Sequence, residues 1–409
     1  MTDSRTFVVA GAGLAGAKAV EQLRTDGFDG RIVLLGEEPH APYERPDLSK
    51  GFLLGKTERQ KLFVHGDDFY ATHDVDLRTD VAVTAIDRAA RTVTIDGTDT
   101  IPYDALLLAT GAAPRPLSIP GAELDGVRYL RTLDDAEALR RAIDTATAVA
   151  IIGGGWIGME VAAAARSLGR NVTVVFPESE PLERVLGIEA GATYAELHRA
   201  HGVRLLPRAE VESFEGTGSV EAVRLGDGGR IEADLVVVGI GVLPRTSLAT
   251  NAGLAVSDGI EVDEYLRTSD PAVYAAGDIA GAWHPVLRTR LRVEHWANAL
   301  HQGPAAARSM LGLTEPFDRL PYFYSDQFER GMEYVGHAPS YDRVVFRGDP
   351  GSGEFCVYWL LDGCIAAAMN VNVWDVVDVH KRLIAAGAAV DTTRLADPAT
   401  PLESLVARA

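Results

Sequence analysis

The sequence predicts an α/β protein with two Rossmann-like dinucleotide-binding domains and a C-terminal α+β domain built on an antiparallel sheet. Two glycine-rich turns, in FVVAGAGLAG and AVAIIGGGWIG, each follow an apolar strand and open an alanine-rich helix. From about residue 316 the chain changes to aromatic, alternating segments such as PYFYSDQF and GEFCVYWLLDG, a pattern typical of antiparallel strands. The length of 409 residues is enough for two or three domains.

The first turn carries Gly11, Gly13 and Gly16 between a strand at 8–10 and a helix predicted over 17–23. In such a turn the first glycine permits the tight strand-to-helix connection, the second lets the backbone approach a pyrophosphate, and the third allows close packing. The N-terminus of the helix then offers N–H groups and a positive dipole end to the phosphates. For a lone motif, an ordinary glycine-rich connection is the alternative.

The second turn carries Gly153, Gly155 and Gly158 between a strand at 150–152 and a helix predicted over 159–168. Two such turns in the same strand–turn–helix context argue against chance connections. They predict that one chain binds two dinucleotides, with a hydride or an electron passing between them.

The other elements follow from hydrophobic periodicity, and the two βαβ halves are the only internal repeat we find. In chain order they are antiparallel strands at 81–86 and 91–95, a buried strand at 103–109 ending at Thr110 and Gly111, a helix at 134–143, strands at 171–175, 235–240 and 273–276, and a helix from about 297. The predicted domains are 1–112 with 241–315, then 113–240, then 316–409.

Composition excludes several classes of function. The formal net charge of −19 argues against a nucleic-acid partner. No apolar run approaches the ~20 residues of a membrane span, and the N-terminal MTDSRTFVV has no signal-peptide pattern, so we expect a cytoplasmic protein. The two cysteines, Cys356 and Cys364, lie far from the first turn, which excludes disulfide exchange. We expect both to be buried small hydrophobes, and we expect no metal site.

Glu37 is the residue expected to bind the ribose of the nucleotide at the first turn. It stands at the end of the strand 31–35, where a carboxylate accepts hydrogen bonds from both hydroxyls of an adenosine ribose. Glu38, Asp29 or a solvated loop charge are the alternatives.

The second βαβ unit departs from this pattern. Its strand at 171–175 ends at Phe176 where an acidic residue is expected, and Glu178 lies two residues further on. A 2′-phosphate would favour Arg or Lys there, whereas the loop offers Glu178, Glu180 and Glu183. NADH is therefore predicted over NADPH.

Several segments together resemble one family. They are GAGLAG, GEE with ERPDLSK, LLLATGAAPR, RTLDDA, GGGWIGMEVA, SDPAVYAAGDIA, VEHWANALHQG and PYFYSDQF. The set, which spans roughly residues 5–375, resembles the FAD-dependent NADH:ferredoxin reductases of bacterial oxygenase systems. The resemblance implies a glutathione-reductase-like fold, FAD at the first turn and NADH at the second. Electrons would then pass to a small iron–sulfur ferredoxin that serves a cytochrome monooxygenase or a Rieske-type oxygenase.

The resemblance also implies cofactor contacts, carried over motif by motif. Those with a stated partner are Ala15 at the FAD pyrophosphate, Lys50 beside the flavin ring, Val83 at the adenine, Arg131 at the phosphates, Asp278 at the ribityl chain and the Trp296 backbone N–H at the pyrimidine carbonyl. Arg45, Thr110 and Gly111 lie in the same motifs and are included as cofactor-binding residues.

Lys50 and Glu160 are the predicted catalytic residues. A lysine near the flavin stabilises negative charge that develops on reduction, although a solvated loop lysine is the alternative. The resemblance implies that Glu160 reaches the nicotinamide and pairs with Lys50. Dipole compensation in the first turn of the second helix is its alternative. Trp156 in the same turn either shields the flavin or packs against a neighbouring domain.

The expected partner is an acidic ferredoxin, which a chain of this net charge repels at long range. A local basic patch must therefore offset the charge. The candidates are Arg288, Arg290 and Arg292, whose alternate spacing puts them on one face of an extended segment, together with Arg330. An ordinary exposed strand is the alternative.

We expect the protein to be a monomer or a weak dimer. Tyr324 stands where relatives often have Trp, which leaves it a packing role.

Two other functions compete with this interpretation. One is an NADH oxidase or a quinone or small-molecule reductase, although the chain lacks the cysteine on which some oxidases depend. The other is a redox-sensing NAD-binding flavoprotein that turns over poorly.

Overall fold

The computed structural model describes residues 4–406. Its α-helices are α1 (Leu14–Thr25), α2 (Phe69–Thr72), α3 (Leu133–Thr145), α4 (Trp156–Ser167), α5 (Glu183–Ala200), α6 (Ser247–Asn251), α7 (Trp296–Met310), α8 (Val377–Ala386) and α9 (Thr392–Ala396). Short 3-10 helices cover Pro46–Ser49, Arg59–Leu62, Gly277–Ile279, Pro350–Ser352 and Leu402–Leu405.

The strands are β1 (Thr6–Ala10), β2 (Arg31–Leu35), β3 (Val75–Arg78), β4 (Val83–Asp87), β5 (Thr92–Ile95), β6 (Asp99–Pro102), β7 (Ala105–Leu108), β8 (Ala112–Pro114), β9 (Val127–Arg128), β10 (Ala148–Ile152), β11 (Asn171–Val175), β12 (Arg204–Leu206), β13 (Val211–Glu215), β14 (Ala222–Leu225), β15 (Arg230–Glu232), β16 (Leu235–Val238), β17 (Val242–Pro244), β18 (Val256–Ser257), β19 (Gly259–Val262), β20 (Val273–Ala275), β21 (Ala280–His284), β22 (Thr289–Arg292), β23 (Tyr322–Gln327), β24 (Arg330–Gly336), β25 (Arg343–Asp349), β26 (Glu354–Leu361) and β27 (Cys364–Val371).

The chain divides into two compact units. The first comprises the described residues up to Glu44, Arg59–Ala113 and Leu243–Pro321. The second comprises Arg45–Glu58, Pro114–Val242 and the described residues from Tyr322 onwards. The segment 45–58 therefore belongs to the same unit as the second glycine turn and the C-terminal sheet, and its 3-10 helix Pro46–Ser49 contacts α3 and α4.

The first unit is built on a parallel sheet with strand order β20-β7-β1-β2-β3. Its central strands are continuous apolar runs and are fully buried, as parallel strands covered on both faces require. Helix α7 packs closely on α1, because a Cβ added at Gly303 would lie 2.3 Å from the Ala15 carbonyl oxygen. This contact holds the start of α1 behind the first glycine turn.

The second unit contains a matching parallel sheet, order β12-β11-β10-β16-β9, and a C-terminal antiparallel sheet, order β23-β24-β27-β26-β25. Helix α3 begins at a capping box in which Thr132 and Asp135 satisfy each other's backbone N–H groups. One hydrophobic core joins α4, α5 and the inner face of the antiparallel sheet through residues such as Tyr194, Phe323 and Trp359. The predicted α/β fold class, with its C-terminal antiparallel sheet, is confirmed.

Several predicted boundaries shift by a few residues. Helices α1 and α4 begin at Leu14 and Trp156, directly after the middle glycine of each turn and three residues earlier than predicted. Apolar periodicity cannot detect these starts because each first turn contains glycine.

Cys356 is buried as predicted, and burial raises the pKa of its thiol to about 11. The prediction of burial was wrong for Cys364, which is half-buried because it begins β27.

His380 is a fully buried polar residue of α8, the helix that packs on the C-terminal sheet. Its Nε2 lies 3.1 Å from the Tyr358 hydroxyl, and its ring packs edge-on against that of Tyr358. Burial lowers the pKa of His380 to about 4, because a charged imidazolium would be desolvated there. The folded protein therefore holds this histidine neutral.

We expect the protein to lose stability as the pH falls from about 6.5, the ordinary histidine pKa, towards 4. In this window the unfolded chain binds a proton at His380 that the folded chain does not bind. The loss is about 2 kcal/mol for this residue between pH 7 and pH 5. Urea unfolding at the two pH values measures it. His380→Gln should remove that part of the pH dependence, whereas His73→Gln at an exposed position should leave it intact; an unchanged pH dependence in His380→Gln would contradict the assignment.

Candidate active site

The first glycine turn connects β1 to α1 and is shaped by steric contacts. Gly11 has φ +121°, and a Cβ there would lie 2.2 Å from the Ala109 carbonyl oxygen. A Cβ at Gly16 would lie 2.1 Å from the Gly11 carbonyl oxygen. A Cβ at Gly13, by contrast, would meet no heavy atom of residues 4–406 within 4 Å. The outer glycines are thus required by the fold, while the middle one faces open space.

The second turn, between β10 and α4, repeats this pattern. Gly153 has φ +112° and its Cβ would lie 2.3 Å from the Gly239 carbonyl oxygen, while a Cβ at Gly158 would lie 2.2 Å from that of Gly153. Gly155 again faces open space within the described residues. Each turn ends at the N-terminus of a twelve-residue helix.

Both turns fit a dinucleotide pyrophosphate on the strength of these contacts. The open middle position leaves room for a phosphate to approach the backbone, and the helix N-terminus behind it offers N–H groups and a positive dipole end. The equivalence of the two turns means that each half of the chain can hold one dinucleotide.

Glu37 follows β2 in the first unit and forms an ion pair with Arg245. The backbone of Arg245 is itself fixed, since its N–H donates to the Gly111 carbonyl oxygen and its carbonyl oxygen lies 3.4 Å from the Thr110 hydroxyl. Sequence reasoning did not identify Arg245, because it lies some 200 residues beyond Glu37 and carries no motif of its own. The pair brings Glu37, Thr110 and Gly111 together near the first turn.

The remaining predicted residues of the first unit lie on its elements as follows. Val83 begins β4, Ala15 is buried near the start of α1, Asp278 lies in the 3-10 helix after β20, and Trp296 is the first residue of α7. The predicted backbone contact of Trp296 with the flavin stays a prediction.

In the second unit, Phe176 occupies the strand end where an acid was expected. Its ring is buried against the turn itself, since a Cβ at Gly154 would lie 2.9 Å from it. Glu178 lies beyond it and accepts a hydrogen bond at 2.5 Å from Arg184 Nε. Arg184 was missed in the sequence and places a cation among the acidic residues of this loop.

Lys50 and Glu160 form a buried ion pair in the second unit. Lys50 Nζ lies 2.8 Å from Glu160 Oε2, with side chains 12% and 3% exposed. The same carboxylate accepts hydrogen bonds from Ser49 Oγ at 2.5 Å and from Ser325 Oγ at 2.7 Å. Lys50 Nζ also donates to the Pro46 carbonyl oxygen at 3.3 Å. The predicted pairing is present, while the catalytic roles stay predictions.

The placement of Glu160 in the first turn of its helix was wrong. Because α4 begins at Trp156, Glu160 is its fifth residue and is buried. Dipole compensation at an exposed helix start therefore does not account for it. Its location instead turns the carboxylate towards the 45–58 segment and β23, both of which supply donors.

Other predicted residues cluster around this pair within the second unit. Arg45 Nη1 donates to the Arg131 carbonyl oxygen at 2.5 Å, and the Tyr324 ring centre lies 5.7 Å from Lys50 Nζ. Trp156 packs edge-on against Tyr194 and Phe323. These contacts give Trp156 a packing role inside this unit.

The predicted row of three arginines on one strand face was wrong. Arg288 precedes β22 and has φ +51°, so the alternation holds only for Arg290 and Arg292. Arg290 donates to the carbonyl oxygens of Val262 and Gly281, and Arg292 pairs with Asp258 and Glu294. Arg330 lies in the second unit and donates to the Thr193 carbonyl oxygen at 2.7 Å. Arg288 remains exposed.

The chain is similar to known oxidoreductases over most of its length. The family model described as pyridine nucleotide-disulphide oxidoreductase matches residues 5–303, and the model described as reductase C-terminal matches 322–406. The chain is 41% identical over 405 residues to the anthranilate 1,2-dioxygenase system ferredoxin–NAD(+) reductase component of Burkholderia cepacia, covering 98% of this chain and 99% of that protein. It is 37% identical to putidaredoxin reductase of Pseudomonas putida, covering 100% and 98%. The reductase in the crystal structure of the covalent putidaredoxin reductase–putidaredoxin complex matches with a TM-score of 0.95 and 36% identity, covering 98% of each chain.

No helix within residues 4–406 combines the length and apolar character needed to cross a membrane.

We expect Gly155→Ala to weaken NADH binding and Gly158→Ala to destabilise the fold. Gly155 has φ −80° and open space, so alanine fits the fold but its methyl group obstructs the phosphate; NADH affinity should fall about tenfold with the free energy of unfolding unchanged, a cost of ~1.4 kcal/mol in binding. Gly158→Ala should instead lower the free energy of unfolding by ~1–3 kcal/mol through overpacking. NADH titration and urea unfolding measure the two effects.

Gly66→Ala is the matched control, because its Cβ also meets open space within the described residues but it lies outside both turns. Unaltered NADH affinity in Gly155→Ala would contradict the phosphate-binding role.

Proposed function

The chain belongs to the pyridine nucleotide-disulphide oxidoreductase family, and on this premise we propose that it is a flavoprotein ferredoxin reductase that passes electrons from NADH through FAD to an iron–sulfur ferredoxin serving an oxygenase. The observation that carries the proposal is full-length similarity to ferredoxin–NAD(+) reductases, combined with two glycine turns of equivalent geometry. When bound, FAD accepts a hydride from NADH and releases the two electrons singly.

FAD is proposed to bind at the first glycine turn, together with the further residues that the family motifs imply. They are Gly11, Gly13, Ala15, Gly16, Glu37, Arg45, Lys50, Val83, Thr110, Gly111, Arg131, Asp278 and Trp296. Glu37 would accept hydrogen bonds from the adenosine ribose, whose hydroxyls would compete with Arg245 for this carboxylate. The proposed domains are 1–112 with 241–315 for FAD, 113–240 for NADH and 316–409 at the C-terminus.

The second turn, with Gly153, Gly155 and Gly158, would hold NADH. Glu178 is proposed to bind the adenosine ribose, because Phe176 is committed to packing under the turn. Arg184 weakens the charge argument against a 2′-phosphate, since it neutralises Glu178. The preference for NADH therefore depends on the ribose hydroxyls competing successfully with Arg184 for this carboxylate.

Lys50 and Glu160 are proposed to act electrostatically. Glu160 holds the Lys50 ammonium in one position, and the ammonium stabilises negative charge that develops nearby on reduction. Hydride transfer between the cofactors needs no protein acid or base, so neither residue transfers a proton. Their contribution is a fixed charge in a place from which water is largely excluded.

The partner is proposed to be an acidic ferredoxin that docks near Arg288, Arg290, Arg292 and Arg330. Arg290 and Arg292 lie beside carboxylates and Arg330 is half-buried, so the exposed Arg288 would supply most of the uncompensated charge. The proposal includes a cytoplasmic location and a monomeric or weakly dimeric state, which gel filtration would test.

A direct test mixes the purified, FAD-loaded protein anaerobically with NADH and a panel of purified ferredoxins. Rapid bleaching of ferredoxin absorbance, with slow oxygen consumption in a parallel aerobic sample, is the expected result. Rapid oxygen or quinone reduction without ferredoxin reduction would contradict the proposal.

Lys50→Met should slow flavin reduction by NADH about 100-fold while leaving FAD bound, because it removes one electrostatic stabiliser and keeps the apolar stem. Anaerobic stopped-flow absorbance at the flavin band measures the rate. Lys381→Met, at a lysine of α8 whose side chain is 45% exposed, is the control. Equal rates for Lys50→Met and the unaltered protein would remove Lys50 from the mechanism.

Arg288→Glu should slow ferredoxin reduction about fivefold at low salt and less at high salt, since screening weakens interactions between exposed charges. NADH-dependent reduction of ferricyanide should be unchanged. Arg343→Glu, an exposed arginine of β25, controls for net charge. Loss of both activities together in Arg288→Glu would refute docking at this position.

A further inference from the structure

Glu160 is the end point of a buried hydrogen-bonded chain that reaches across the second unit. Ser325 Oγ lies 2.7 Å from Glu160 Oε1, Gln327 Nε2 lies 3.2 Å from Ser325 Oγ, and His198 Nε2 lies 2.8 Å from Gln327 Oε1. His198, Ser325 and Gln327 are each at most 1% exposed. The proposed electron-transfer chemistry uses none of the three.

In all three hydrogen bonds of this series, the donor is the group farther from Glu160 and the acceptor is the group nearer to it. Since the Gln327 oxygen faces His198, the imidazole must donate from Nε2, and burial lowers the pKa of His198 to about 4 so that the ring is neutral and carries one proton. The Gln327 amide then donates to the Ser325 oxygen, which leaves the serine proton for Glu160. Every donor therefore points towards the carboxylate, and bonds aligned in this way strengthen one another.

The geometry of the sheet explains why β23 can supply this chain. Ser325 and Gln327 alternate with Tyr324 and Asp326, so both face inward with Phe323 towards α4 and α5. A polar pair on an inward strand face has to be hydrogen-bonded, and Glu160 and His198 provide the partners. Ser325 and Gln327 thus occupy inward-facing positions that apolar residues would otherwise fill.

We propose that Ser325, Gln327 and His198 are positioning residues that orient the Glu160 carboxylate and thereby fix the Lys50 ammonium. Ser325 donates to Oε1, whereas Lys50 and Ser49 both contact Oε2. Without the chain, the carboxylate can rotate and the ammonium loses its single position. The consequence for a bound flavin rests on the proposed function, whereas the fixing of Lys50 does not.

The test uses Gln327→Met, which keeps the side-chain volume, breaks the chain at its middle and touches neither Lys50 nor Glu160. Acetylation of Lys50 in the full-length protein, with and without FAD, is followed by peptide mass spectrometry. We expect Lys50 to be labelled about fivefold faster in Gln327→Met, because a loosened ammonium is more accessible. With FAD bound, we expect about tenfold slower reduction by NADH and a more negative reduction potential.

Ser325→Ala should reproduce these changes, since it removes the next link. Asn370→Leu is the matched control: Asn370 is a buried amide of the same sheet that bonds Glu333 and the Val373 carbonyl oxygen, outside the chain. Unchanged labelling of Lys50 in Gln327→Met, or equal acceleration in Asn370→Leu, would overturn the proposal. If labelling rises while the rate and potential stay unchanged, the positioning stands and the role of Lys50 in the proposed function fails.

Discussion

The structure depends on how one buried carboxylate, that of Glu160, is supplied with an ion pair and hydrogen-bond donors. Removing Glu160 from water costs several kcal/mol, and the ion pair with Lys50 offsets this only because further donors complete its coordination. Ser49 and Ser325 supply those donors from segments far apart in sequence. The requirement explains why residues 45–58 pack with α4 and β23. It also explains why β23 carries polar residues on its buried face.

The two glycine turns impose a second constraint, which is steric. In each turn a carbonyl oxygen lies where the first and third side chains would be, and open space lies where the middle one would be. The fold thus repeats one solution twice, on two parallel sheets of similar strand order. We propose that each turn holds one dinucleotide, to which the protein contributes the helix N-terminus and the open middle position of the turn.

Much of the fold could be predicted from local patterns. The strand–turn–helix units, the antiparallel C-terminal segments and the buried strand β7 all carry strong periodic signals. The starts of α1 and α4 could not be placed, because glycine-rich first turns have no apolar period. The prediction that three arginines share one strand face was wrong for a different reason. Arg288 has a left-handed backbone conformation that interrupts the strand, and sequence spacing alone does not reveal it.

The site was predictable only in its motif-bearing part. Lys50 and Glu160 were found through the resemblance, whereas Arg184, Arg245, Gln327 and His198 depend on contacts between distant segments. The most direct measurement of the central claim is an anaerobic titration of the FAD-reconstituted protein with NADH, followed at the flavin absorption band. The account predicts one FAD per chain and complete bleaching by about one equivalent of NADH. Protein that cannot take up FAD, or bound flavin that stays oxidised with excess NADH, would contradict it.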